Sequence, residues 1–426
     1  MNRLSICIAA TLLAMNTYAA DSYKVIECGS LLDVEREKVL RDQQILVNND
    51  VIEAIGSDVS APADAVKIDL SEQVCMPGLM DTHVHILIDS TKGTLDSLRI
   101  TESASELTLF GLRNLWSLLD QGFTTIRIPG DLDKEYSTIA LRDAINRGEF
   151  QGPRMLVAAH AASAIGGHGD ANSHAYDSHV PLPLWIVDGV DEIRRYVRRE
   201  FKYGSDWIKV HSTGGVMSQH DDPRVAAYTM EELQAFADEA HRHHKKITAH
   251  AHGDAGVRAV VEAGFDSVEH ATLMEESTVK LMAQKGTVYV PTRYVVDWIL
   301  DTGLSAGISE SNLSKAKQVS EQHKRSIKLA HKHGVKMALG SDPIFPMDQA
   351  IREFDAMNKV LEDNWFVLQM GTINSAELLG LQDEIGSLKP GKQADIVAMP
   401  KSPLEDMSNI ERVNFVMKGG AIVKQP

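Results

Sequence analysis

The residues most able to do chemistry begin in Met76-Pro77-Gly78-Leu79-Met80-Asp81-Thr82-His83-Val84-His85, where an apolar run ends in two histidines one residue apart. On a β-strand, residues i and i+2 share a face, so His83 and His85 would project together. Two imidazoles from one strand can hold a borderline-soft cation such as Zn²⁺. A bare His-x-His is more often a strand with two surface histidines, so the pattern needs partners. Candidates follow downstream: Lys209 with His211, His250 with His252, then His270 and Asp342.

These residues need a scaffold that brings distant strands to one place. From Pro77 to about Leu381 one unit repeats, an amphipathic helical pattern ending at a glycine and followed by a short apolar strand. Gly122, Gly204, Gly264, Gly286 and Gly334 each occupy that post-helical position. Ile193, Tyr196 and Val197 mark one helical face, and Thr229 with Glu232 forms a capping-box pattern. Strands are expected near His83, Ile126, Leu156, Ile208, Thr248, Val268, Tyr289 and Leu339. Repeated βα units predict α/β architecture with a parallel sheet, and eight of them predict a (β/α)8 TIM-type barrel over 77–385 rather than an open doubly wound sheet. In such a barrel, functional residues sit at the C-terminal strand ends. The candidate histidines, Lys209 and Asp342 all fall there.

The two ends of the chain differ from the middle. A hairpin is expected where 44–47 and 51–55 flank Asn48-Asn49-Asp50, and short strands where 394–399 and 413–417 precede 421–423. Segments 20–76 and 386–426 are therefore expected to form one small β-sandwich domain. Ahead of them, Asn2 and Arg3 precede an apolar run over 4–15 and then Thr17, Ala19 and Ala20. That order predicts a signal peptide over 1–19 and a periplasmic or secreted protein, with a buried N-terminal helix as the alternative. The run is shorter than the roughly 20 residues needed to span a bilayer, so no membrane partner is expected. A net charge of −16 argues against a nucleic-acid partner. Export permits a disulfide between Cys28 and Cys75, although two cysteines are no framework. Cys75 is expected to be a buried apolar residue without a nucleophilic role.

Taken together, these motifs carry a resemblance. His83-Val84-His85, Ile208-Lys209-Val210-His211, Thr248-Ala249-His250-Ala251-His252-Gly253, Val268-Glu269-His270-Ala271 and Gly340-Ser341-Asp342-Pro343 form one ordered set. The tail adds Gly386-Ser387-Leu388 and Ala394-Asp395-Ile396-Val397. The chain resembles the amidohydrolase superfamily in its binuclear, carboxylated-lysine subtype. Within it the chain is similar to imidazolonepropionase-like and prolidase-like dipeptidases, a group that includes ochratoxin A amidohydrolases. The resemblance implies two divalent metal ions, Zn²⁺ foremost, with Mn²⁺ and Co²⁺ also suited to such ligands. His83, His85 and Asp342 would hold one, His250 and His270 the other, and a CO₂-derived carbamate on Lys209 would bridge them. A hydroxide shared by the metals would attack an amide, with Asp342 carrying the proton to the leaving amine. His250 and His252 share a strand face, and the resemblance makes His250 the ligand and His252 a catalytic, substrate-contacting residue, the reverse assignment being the alternative.

Further substrate contacts are expected from the residues themselves. His168 lies in Gly166-Gly167-His168-Gly169, which opens a long loop to Gly189 with Asp170, His174, Tyr176 and His179. Tyr228 and Arg293 are candidates for a substrate carboxylate, since an arginine fork matches it with two hydrogen bonds. His211 is expected to be either a supporting residue or core, and His241, His243 and His244 to be solvated at a helix end. The expected function is a secreted hydrolase cleaving the amide or peptide bond of a dipeptide-like N-acyl amino acid, with ochratoxin A one candidate. Cyclic-amide hydrolysis of the imidazolonepropionase type is the alternative. Lys209 and the Gly253-Asp254 that follows His252 weigh against a hydrolytic deaminase, and the complete ligand set weighs against a non-catalytic metal-binding barrel. The resemblance also implies a homo-oligomer, an octamer being one form.

Overall fold

Short alternating segments at the chain ends and apolar segments in the middle produce two kinds of sheet. The computed structural model describes residues 22–426 apart from 89–92, 94, 171–174, 176 and 178–181. The expected signal peptide, and His174, Tyr176 and His179 of the long loop, lie outside the described residues. Four N-terminal strands, β1 (Tyr23–Asp33), β2 (Lys38–Asn48), β3 (Val51–Gly56) and β4 (Val66–Pro77), lead into the central body. That body holds β5 (Leu79–Asp81), β6 (Phe123–Pro129), β7 (Arg154–Ala158), β8 (Ala161–Ala162), β9 (Trp207–His211), β10 (Lys246–Gly253), β11 (Ser267–Leu273) and β12 (Val288–Val290). The chain ends in β13 (Ile396–Met399), β14 (Phe415–Lys418) and β15 (Ala421–Lys424).

Both chain ends build one seven-stranded sheet in the order β15-β14-β13-β4-β1-β2-β3. Both chain ends contribute to it, as expected of one composite β domain, and its strands are hydrogen-bonded as one continuous sheet. Its far edge returns to the segment entering β13: Ile52 N–H donates to Lys392 C=O at 2.8 Å and Ala394 N–H to Asp50 C=O at 2.7 Å. Backbone groups that would otherwise be an exposed edge are paired this way. The enclosed face buries Ile26, Ile45, Val47, Leu70, Ile396, Phe415 and Met417. Cys75 is fully buried, as expected, and its sulfur is bonded to Cys28, joining β4 to β1 within this core.

In the central body β5-β6-β7 and β12-β11-β10-β9-β8 form two sheets, and every pairing in them is parallel. Parallel pairing requires crossovers, and the amphipathic segments supply them. The helix Val190–Lys202 buries Ile193, Tyr196 and Val197 on one face. The helix Met230–Arg242 starts in the expected reciprocal box between Thr229 and Glu232. Gly264 and Gly334 adopt φ of +90° and +69° after their helices, a region in which a side chain is strained.

Backbone hydrogen bonds run between the two sheets on both sides. Asp206 N–H donates to Val157 C=O, linking the β9 and β7 sides. On the other side Met337 bridges Tyr289, and Thr82 N–H donates to Leu339 C=O at 2.8 Å. The strand expected near Leu339 is thus a single bridge at Met337, and Leu339 N–H donates instead to Met370 C=O at 3.0 Å. Among the described residues, no helix is long and apolar enough to cross a membrane.

Candidate active site

The site is assembled by Asp81, the last residue of β5. Its Oδ1 accepts the N–H of His83 at 3.0 Å and that of Ser341 at 3.1 Å. Asp342 N–H then donates to His83 C=O at 2.8 Å. One buried carboxylate therefore fastens the His-x-His segment to the Gly340-Ser341-Asp342 segment, more than 250 residues apart in sequence. Burial pushes the Asp81 carboxyl up to about 7, with the Ser341 and His83 hydrogen bonds acting the other way. His83 and His85 lie just beyond β5 rather than on it, in extended chain. They converge as expected, with Nε2 atoms 3.2 Å apart.

Each ring is oriented by what its outer nitrogen bonds. His83 Nδ1 donates to Glu269 Oε2 at 2.7 Å, and His85 Nδ1 donates to Gly130 C=O at 2.7 Å. His270 Nδ1 lies 2.7 Å from Thr292 Oγ1, whose hydrogen is taken by Pro291 C=O. In all three rings the lone pair is left on Nε2. His250 is reversed: Nε2 donates to Gly214 C=O at 3.3 Å, leaving the lone pair on Nδ1. Holding the outer nitrogen in this way is how proteins aim imidazoles at a metal.

The potential ligand atoms of His83, His85 and Asp342 lie within 4.8 Å of one another. Asp342 Oδ1 is 3.1 Å from His85 Nε2, and Oδ2 is 3.8 Å from His270. The His250 and His270 ring centroids are 4.6 Å apart, with His252 5.0 Å from His270. Lys209 lines the same cavity, is almost fully buried, and makes no hydrogen bond among the described residues. Three cavity-lining residues, His270, Thr292 and Asp342, are held at φ of +67°, +56° and +51°. Such backbone costs on the order of 1–3 kcal/mol per residue, and it gathers where a site must be pre-shaped.

Burial and neighbouring charges shift the site's groups in different directions. Burial brings His83 down to about 4 and Lys209 down to about 8, the pull of Glu269 on the lysine acting in the opposite sense. Burial and the neighbouring His168 bring His252 to about 3. Burial works against ionising Asp342, yet His83 and His85 hold its carboxyl well below the usual range. His85 is shifted the other way: burial works against its cation, yet Asp342 raises it. Imidazole, carboxylate and amine donors gathered in one cavity form a set that fits divalent cations.

His168 also reaches the cavity, stacked on His250 at 4.2 Å and oriented by Ser218 Oγ at 2.7 Å. His211 borders it as well. Two expected substrate contacts are not brought there. Thr292, Val295, Val296 and Ile299 line the cavity along one face of the helix Arg293–Thr302, and Arg293 lies off that face, outside the cavity lining. There its guanidinium binds Asp297 and Ser320 C=O. Tyr228 is buried against Phe236, and its hydroxyl donates to Val187 C=O at 3.0 Å. His241 and His243 are exposed and pair with Asp266 and Glu239.

Several residues at the site escape a reading of motifs. Glu269 and Arg127 are fully buried, joined at 2.7 Å, and Arg127 also donates to Thr82 C=O and Ser267 Oγ. Their signal was available: each is a lone charge in an apolar strand. Asp131 accepts the N–H groups of Ile86 and Leu87, shaping the cavity rim. Trp185 and Met217 line the cavity from loops with no periodicity to read.

A parallel βα body gathers histidines, a lysine and an aspartate in one cavity, a donor set able to hold divalent cations. The amidohydrolase family model matches residues 74–423, and the chain belongs to that family. It is 31% identical to an ochratoxinase of Aspergillus niger over 94% of this chain and 87% of that protein. Among solved structures it resembles a Xaa-Pro dipeptidase with bound methionine (31% identity, TM-score 0.89, 95% of this chain and all of the other). It also resembles a prolidase complexed with N-methylphosphonate-L-proline (28% identity, TM-score 0.88, the same coverage).

Proposed function

We propose that this chain is an exported, binuclear metal-dependent amidohydrolase that cleaves the amide or peptide bond of a dipeptide-like N-acyl amino acid. One observation carries the reading: His83, His85 and Asp342 share a cavity with His250, His270 and Lys209. In this reading the first three residues would hold one cation and His250 and His270 the other, and Lys209, as a carbamate, would supply further anionic donor oxygens. Zn²⁺ is the foremost candidate, since imidazole and carboxylate donors suit it. When bound, such ions lower the pKa of water towards 7 and polarise a carbonyl. Asp342, held ionised beside His83 and His85, takes a proton and returns it to the leaving amine. His252 and His168 contact the substrate from the cavity wall. The amide of ochratoxin A falls within this substrate class, which the likeness to an ochratoxinase supports.

The same proposal includes closure of the βα units into a (β/α)8 barrel, which the hydrogen bonds Thr82–Leu339 and Asp206–Val157 support. Export is supported by the Cys28–Cys75 disulfide, a bond suited to oxidising compartments. A homo-oligomer is supported by exposed Leu109 and Trp116 on the helix Ala104–Asp120 and by exposed Phe150, whose neighbour Gln151 accepts the Trp116 indole N–H at 2.8 Å. The test is a panel of N-acyl amino acids, dipeptides and ochratoxin A, assayed with Zn²⁺ restored, for the native chain and Lys209→Ala. Turnover lost together with bound metal in the variant is the expected result. Unchanged turnover and metal content would overturn it, and turnover of no panel member would direct attention to cyclic amides.

A further inference from the structure

Trp185 lines the cavity and is fixed from three directions. Its carbonyl accepts the N–H of Ser163 at 3.0 Å, and its indole N–H donates to Gly169 C=O at 3.1 Å. Its ring stacks on His160, centroids 5.2 Å apart and planes within 14°. His160 is itself immobilised. It is 3% exposed, its Nδ1 lies 3.1 Å from Glu200 Oε2, and Tyr136 packs edge-on against it. Glu200 also accepts the hydroxyls of Tyr136 and Ser205. The hydrolytic chemistry uses none of these groups. Their common effect is to hold one aromatic plane at the cavity wall.

Part of the remaining wall is apolar. Leu132, Val216, Met217 and Val296 border the cavity, and Lys209 is its sole lysine or arginine among the described residues. A rigid indole offers a large contact area at small entropic cost, and aromatic pairing adds to what burial alone provides. We propose that Trp185 is a specificity-determining residue, a pre-set plane that selects substrates carrying a flat aromatic group on one side of the scissile amide. This rests on the amide-hydrolase reading and adds the class of substituent. His160 acts through Trp185 and is a positioning residue.

The test compares native protein, Trp185→Leu, Trp185→Phe and His160→Ala, each with metal restored. Paired substrates carry benzoyl against butanoyl on the acyl side, or phenylalanine against alanine on the amino side. The native protein should prefer the aromatic member of at least one pair. Trp185→Leu should lose about three- to tenfold of that preference while turnover of the aliphatic member is retained. Trp185→Phe should keep most of the preference, and His160→Ala should weaken it through KM with kcat maintained. Parallel losses on aromatic and aliphatic substrates, or a preference that survives Trp185→Leu, would overturn the assignment. Should the native protein hydrolyse no amide, the hydrolytic reading fails and binding decides the other question. N-benzoyl amino acid must then quench tryptophan emission more in the native protein than in Trp185→Phe, and equal quenching overturns the proposal.

Discussion

Two clusters of buried charge, one at the start of the helix Arg293–Thr302 and one behind the cavity histidines, use their charges differently. At the helix start, Glu353 accepts the N–H groups of Arg293 and Tyr294 at 2.7 and 2.6 Å, while the Arg293 guanidinium binds Asp297 and Ser320. These hydrogen bonds fasten the start of the helix, and the groups making them serve its structure. On the cavity side, Arg127 binds Glu269, Glu269 binds His83, and the chain of contacts ends with an imidazole lone pair aimed inward. Lys209 and Asp342 stand at that open end. A buried guanidinium is chemically the better carboxylate ligand, yet here it is structural. Which face of a helix a residue occupies outweighs what its side chain can bind.

The largest effect should come from the open cluster. Replacing Asp342 with Asn should lower kcat by about 10²- to 10⁴-fold, with the cooperative unfolding transition retained. An activity within a factor of two of native would remove Asp342 from the chemistry. Next in size is Arg127→Met, which leaves Glu269 buried without its cation. Urea unfolding should show a loss of about 3–5 kcal/mol, together with weaker metal retention measured by dialysis and elemental analysis. A stability loss with full metal retention would make the pair structural, like its counterpart at the helix start.

The closed cluster should respond through stability alone. Glu353→Gln leaves one of two N–H groups without an acceptor, costing about 1–3 kcal/mol. Burial raises the Glu353 carboxyl well above its ordinary value. A carboxyl raised in the fold contributes stability that is complete below the unfolded pKa and is lost as pH rises through the folded one. The penalty of the substitution should therefore be largest in acid and shrink towards alkaline pH. A penalty that grows with pH would reverse the assigned state of the group. The smallest effect belongs to Arg293→Lys, which should change KM for a carboxylate-bearing substrate by less than about twofold. A large rise in KM, absent for the amidated analogue, would return Arg293 to the substrate site.

The sequence by itself determined the βα repeat, the glycines that end its helices, the β-rich chain ends and the identities of the residues that gather in the cavity. These were legible because apolar periodicity and ligand spacing are local properties of the chain. His83, His85, Lys209, His250, His270 and Asp342 were recognisable from their positions at strand ends, before any contact between them was known. Tertiary structure alone decided that Arg293 and Tyr228 lie outside the cavity lining, that Arg127 and Glu269 orient His83, and that Trp185 stands braced at the wall. It also decided that β1 to β4 and β13 to β15 form one curled sheet, since the closing bonds at Asp50 and Ile52 join segments about 340 residues apart. Orientation about a helix axis and pairing across hundreds of residues depend on what packs against each side. A single strand of sequence carries no record of that.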